Sequence, residues 1–111
     1  MDPLPSYREA LMNVLLAWEK RPGPESKLKF EAVFDREHDR YLVVVVGWEG
    51  PHHVHSTLLH VDILDGKLWI QLDQTPDGLA PDLVEAGVPK DRIVLGFKSP
   101  ARRAITGYAT A

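Results

Sequence analysis

Residues 64–67 read Leu-Asp-Gly-Lys, and the Asp65-Gly66 pair constrains the fold more than any other feature of the chain. It stands between "HHVHSTLLHVDIL" and "KLWIQLD", two segments in which apolar and polar residues alternate. A two-residue loop that matches the twist of antiparallel strands needs positive φ at both positions, and Asp-Gly supplies it, so the pair predicts a tight β-hairpin. Its strands run over 53–63 and 67–73. In the second, Leu68, Ile70 and Leu72 face one way, and Lys67, Trp69, Gln71 and Asp73 face the other. Upstream, "LKFEAVF" alternates Leu28, Phe30, Ala32 and Phe34 against Lys29, Glu31 and Val33. A charged tip, "DREHDR", then leads into "YLVVVV", apolar on both faces as a central strand would be. The tip gathers Asp35, Glu37, His38 and Asp39, but their spacing matches no metal-binding loop. Successive hairpins predict a four-stranded antiparallel meander.

The segment before it reads as a helix. Tyr7, Leu11, Val14, Leu15 and Trp18 form one apolar stripe, Ser6 with Glu9 matches a capping box, and Pro22-Gly23-Pro24 ends the run. A turn from Thr75 leads to a shorter helix over 79–86, closed by Gly87 and Pro89. A short extended segment, "IVLGF", and an irregular end with one helical turn after Pro100 complete the chain. The expected class is α+β: an N-terminal helix packed on a four-stranded antiparallel meander, then a short second helix and a short C-terminal extended segment. No repeat, linker or low-complexity tract divides residues 1–111, so one domain is expected. One amphipathic helix covers one sheet face. The other is expected to carry Tyr41, Val43, Val45, Leu59, Val61 and Trp69, and to need covering by the second helix and C-terminal segment or by a second copy in a homodimer.

Composition narrows the chemistry. The absence of cysteine excludes disulfides, thiolate zinc sites and cysteine nucleophiles, and fits a reducing compartment. No basic-then-apolar leader opens the chain, and its longest apolar run is far too short to span a bilayer, so a cytoplasmic protein without membrane contact is expected. A net charge of −3 argues against a protein that coats nucleic acid. Residues 1–91 hold nine Lys and Arg against all sixteen acids, whereas Arg92, Lys98, Arg102 and Arg103 follow with no acid. That basic end can meet phosphates or an acidic partner, or fold back on the acidic body. Four cations are too few for strong independent DNA affinity, so any DNA contact is expected to be indirect or weak.

Four of the five histidines fall between His52 and His60. Strict strand alternation places His53 and His55 with Leu59 and Val61, and His60 with Asp62 on the opposite face. Zinc usually takes three or four protein ligands, which this split does not supply, so His52, His53 and His55 read as exposed positions and no metal or cofactor is expected. A carboxylate sharing a face with an imidazole can orient and charge it, but no nucleophile stands within reach of His60. No G-x-S-x-G, P-loop, G-x-G-x-x-G or H-E-x-x-H signature occurs. A protein that is not an enzyme is the leading reading; a small metal- or His60/Asp62-dependent enzyme is the weaker rival. "FKSPARRAITGYA" gathers Lys98, Arg102, Arg103 and Tyr108 as a further contact segment.

Several motifs resemble one family. His60-x-Asp62-Ile63, Gly66-Lys67-x-Trp69-Ile70-Gln71, Asp73-x-Thr75, Gly87-Val88-Pro89, Leu95-Gly96-Phe97, and Pro100, Arg102, Thr106 and Gly107-Tyr108 are similar to the XisI family, the fdxN element excision controlling factors of cyanobacteria. "YREALMNVLLAW" and "FDREHDRYLVVVVGWEG" extend the resemblance over about Tyr7 to Ala109. "HHVH" departs from the family pattern, which removes those three histidines from any family-wide role. The resemblance implies an accessory factor for excision of a DNA element during heterocyst differentiation, a separate site-specific recombinase doing the cutting. It implies a XisH-like protein partner and a small α+β fold. It also marks His60, Asp62, Lys67, Trp69, Gln71, Asp73, Thr75, Arg102, Thr106 and Tyr108 as candidate partner-binding or motif residues. An antitoxin-like inhibitor of a XisH-type nuclease-like partner is the alternative.

Overall fold

The computed structural model describes residues 2–111. Asp65 and Gly66 have φ of 50° and 76°, the left-handed pair that a two-residue hairpin requires. They join β3 (His52–Leu64) to β4 (Lys67–Asp73), with Leu64 opposite Lys67. β1 (Leu28–Asp35) pairs with β2 (Arg40–Glu49) and β2 with β3, all antiparallel, which is the expected meander. The sheet nevertheless has five strands, in the order β1-β2-β3-β4-β5. The short segment placed outside the meander is β5 (Ile93–Leu95), which lies parallel to β4 with Leu68, Trp69 and Ile70 opposite Ile93, Val94 and Leu95. A helix and a 3-10 turn (Lys90–Arg92) carry the chain back along the sheet between β4 and β5, and such a crossover delivers a parallel neighbour.

That crossover helix, α2 (Ala80–Glu85), ends as its glycine predicts. Gly87, at φ 107°, donates its N–H to Val84 O, and Val88 N–H reaches Leu83 O, the paired bonds of a Schellman closure. Leu83 and Val88 are both buried beside each other's turn. α1 (Leu4–Glu19) begins earlier than the capping box implies. Ser6 is not its cap: Ser6 Oγ donates to Pro3 O at 2.9 Å, and Asp2 Oδ1 accepts the Leu4 N–H at 3.0 Å. Pro5 fits inside the first turn because the N–H it lacks would have no helical partner there.

Both helices lie on one face of the sheet. Leu11, Met12 and Leu15 of α1, with Leu79 and Leu83 around α2, pack on Tyr41, Val43, Leu59, Val61 and Ile70 in one buried cluster. Tyr41, Val43, Val45, Leu59 and Val61 are therefore core residues on the helix side, and Trp69 alone of the group expected on the second face lies there. A strand apolar on both sides does not announce which side meets the helix.

Two bulges complete the rearrangement. β2 and β3 pair Val43 with Leu59 but Val44 with Thr57, leaving Leu58 extra; β3 and β4 pair His60 with Leu72 but Val61 with Ile70, leaving Gln71 extra. An extra residue exchanges the faces of everything beyond it. His53 and His55 thus share the open face with His60, and Asp73 turns toward the helices while Leu72 turns away, both contrary to strict alternation.

A polar clamp fixes the N-terminal half of α1 to the sheet. Asp39 closes the β1–β2 turn at φ 53°, and its carboxylate accepts from Arg8 Nε at 2.8 Å, Arg8 Nη2 at 3.1 Å and Tyr41 Oη at 2.6 Å. The Arg8 hydrogen bond holds the Asp39 carboxyl below its ordinary 3.8, while burial, then Asp39, pushes the Tyr41 phenol up to about 12. A depressed carboxyl contributes stability that is full above its ordinary value and is lost as pH falls through the lowered one. Asp39→Asn keeps the positive φ and is expected to cost about 1–3 kcal/mol at pH 7. The cost should shrink toward pH 3 in urea denaturation; an equal loss at both pH values would contradict the clamp.

Candidate functional site

Asp62 is the one buried charged residue among those described, 8% exposed on β3, and its environment defines the candidate site. Cross-strand pairing sets Arg40 and Trp69 on either side of it. Asp62 Oδ1 lies 2.7 Å from His60 Nε2 and 3.5 Å from Arg40 Nε, and Oδ2 accepts from Gln71 Nε2 at 3.4 Å. His60 and Asp62 share a face, as i, i+2 residues in a strand must. Gln71 joins them because it is the bulged residue of β4. With Asp62 ionised, His60 Nε2 is the donor in this contact.

Trp69 extends the cluster toward the C-terminal tail. The Arg103 guanidinium lies 5.2 Å from the indole centroid, and Arg103 also donates to Lys98 O at 2.9 Å and Thr110 O at 3.2 Å. Lys67 Nζ donates to Ala111 O at 2.7 Å. The tail thus laps the β4 end of the open face, and Ala109 N–H bonds Ile93 O at 2.9 Å along the outer edge of β5. The basic end packs back on the sheet without pairing with the acids of the body: among the described residues its side chains form no salt bridge, and Arg92 and Arg103 donate to carbonyl oxygens instead.

The motif residues therefore divide. His60, Asp62, Lys67, Trp69 and Gln71 converge on the open face. Asp73 and Thr75 close the loop into α2, Asp73 Oδ1 accepting from Thr75 N–H and hydroxyl and Oδ2 from Leu79 N–H at 2.6 Å. Arg102 is exposed on α3 (Pro100–Arg103), capped by Ser99. Thr106 accepts from Tyr108 N–H at 3.3 Å, while the Tyr108 ring packs on the core under Lys90. His52, His53 and His55 are exposed, the His53 ring lying tilted against Trp48 with centroids 4.9 Å apart, and no group of three metal-ligating side chains exists among the described residues.

Beside the cluster, the open face is aliphatic. Leu42, Val44 and Val46 of β2 are half-buried with no helix above them, Val33 is 46% exposed and Trp48 53%. Sequence reasoning missed this strip because it assigned the opposite side chains of β2 to this face. It missed Arg40 because only the register reveals it. The arrangement orients an imidazole, which hydrogen-bonds Asp62, and presents an apolar surface. Asp62→Ala would leave the donors of His60 and Gln71 unmatched and is expected to lower the urea stability by about 1–3 kcal/mol. A variant as stable as the parent would show that the cluster is not structural.

With this geometry in place, the relatives are informative. The family model described as XisI protein matches residues 1–110. A crystal structure of a XisI-like protein from Anabaena variabilis is 32% identical, with a TM-score of 0.87 over 97% of this chain and 99% of that one. The fdxN element excision controlling factor XisI from the same organism is 29% identical, with a TM-score of 0.81 over 99% of this chain and 100% of that one. No protein with a curated description matches.

Proposed function

The chain belongs to the XisI family, and from that premise we propose that it is a non-enzymatic controlling factor for excision of a DNA element, acting by binding other proteins. The observation that carries the reading is the open sheet face: a half-exposed aliphatic strip, Val33, Leu42, Val44 and Val46, running beside the motif residues His60 and Trp69. Apolar strips rimmed by polar groups are what protein partners cover. The XisI relative is a named excision controlling factor, and the reading assigns this chain the same process, in heterocyst differentiation of cyanobacteria. The partner is a XisH-like protein, the recombinase, or both. Asp62 serves it by holding Arg40, His60 and Gln71 in fixed positions at the rim. The cytoplasm is the compartment this activity needs, and no helix among the described residues is long and apolar enough to cross a membrane.

Affinity capture with the XisH-like protein tests the reading. The parent chain should retain the partner, and Val44→Asp should lose at least tenfold in affinity, since one charge on a buried aliphatic contact costs more than 1.4 kcal/mol. Equal retention by Val44→Asp would remove the open face from the interaction. Co-expression separates the antitoxin-like alternative, which requires a partner that is toxic alone and tolerated together with this chain.

A further inference from the structure

A groove of about 430 Å³ lies away from the Asp62 cluster, along the outer edge of β1, between Glu19 and Pro22 and the strand residues Leu28 and Phe30. A neighbouring hollow adds Trp18 and Arg21, whose guanidinium stacks 4.1 Å over the indole. β1 is the end strand of the sheet. Trp48 N–H donates to Lys27 O, so antiparallel alternation turns the backbone groups of Lys29, Glu31 and Val33 toward β2 and those of Leu28, Phe30, Ala32 and Phe34 outward. Two side chains occupy part of this edge. Ser26 Oγ bonds both the N–H and the C=O of Leu28 at 3.1 Å, and Glu19 Oε2 accepts from Ala32 N–H at 2.8 Å. Between them, the N–H and C=O of Phe30 face out beside the groove.

We infer that this edge pairs with the same edge of a second copy, antiparallel about a twofold axis at Phe30, so that two sheets become one. Charge selects the register. Lys29 and Glu31 are the charged residues between Leu28 and Phe34, and both are exposed on the same face of the strand. A twofold at Phe30 sets each Lys29 opposite the Glu31 of the second copy. A twofold at Lys29 or at Glu31 sets like charges together, and one at Ala32 sets Glu31 over Val33. In the Phe30 register both charges of both strands are matched. On the groove side Phe30 meets its own counterpart, which places two aromatic rings over two apolar grooves. The exposed Val33 falls opposite the Lys27 stem of the second copy. Leu28 and Ala32 of opposite copies then exchange the hydrogen bonds that Ser26 and Glu19 hold in the single chain. The inference concerns self-association and stands independently of which partner the open face takes.

Sedimentation equilibrium of the full chain and its charge variants tests this. The parent should dimerise; Lys29→Glu should weaken the dimer roughly tenfold by opposing acids in both symmetry-related pairs, and Lys29→Glu with Glu31→Lys should restore it. Glu19→Ala, which frees the Ala32 N–H, should tighten it. Because the chain has no cysteine, Phe30→Cys carries the sole thiol, and facing Cα atoms about 5.5 Å apart lie within disulfide reach. Oxidation should link it covalently as a dimer, and an Ala101→Cys control should form no disulfide-linked dimer. A parent that is monomeric at millimolar concentration would overturn the proposal and leave the edge to an extended segment of another protein. A dimer indifferent to Lys29→Glu and to Phe30→Cys oxidation would overturn it as well.

Discussion

A sheet has two faces, and this chain has helix enough for one. α1, of 16 residues, and α2, of 6, both lie on the side of Tyr41, Val43 and Leu59. That side becomes a dry core in which close packing of apolar residues supplies the stability. The other side must hold together with water close by. It does so through Asp62, whose oxygens gather His60, Gln71 and Arg40, and through the tail, where Arg103 and Lys67 pin the chain end over β4. What remains uncovered is the aliphatic strip of β2.

The division between what was legible and what was not follows the range of the forces involved. The Asp65-Gly66 turn and the Gly87 closure of α2 were legible because each depends on the φ of one or two residues and on bonds made within a few positions. The bulges at Leu58 and Gln71 carry no such local mark, yet they decide which face His53, His55, Leu72 and Asp73 occupy. The Arg8–Asp39 clamp joins residues 31 positions apart, and nothing local in either segment forecasts it. The extended segment of β5 was legible but its place in the sheet was not, for the same reason: three apolar residues join the sheet only because β4 offers an edge. Ser6 failed as a cap because Asp2 was nearer the true helix start. Of the motif residues, five converge on the open face and the others serve the loop and the tail, a partition that fold position, not residue type, determines.

The edges of the sheet are treated as differently as its faces. The β5 side is closed by the tail through the Ala109 N–H, whereas β1 is held by hydrogen bonds from two side chains that a competing strand can replace. Backbone covered by backbone is permanent; backbone covered by a glutamate and a serine is exchangeable. The chain belongs to the XisI family, and the related XisI of Anabaena variabilis is named an fdxN element excision controlling factor.

The central claim is that the uncovered face, not the helix side, is the working surface. Methyl NMR of the labelled chain titrated with an unlabelled XisH-like protein tests it most directly. The account predicts that the methyl signals of Val33, Leu42, Val44 and Val46 shift or broaden while those of Leu11, Leu15 and Leu83 in the core stay in place. Perturbation confined to the methyl groups along α1 and α2, with the β2 strip unchanged, would contradict it.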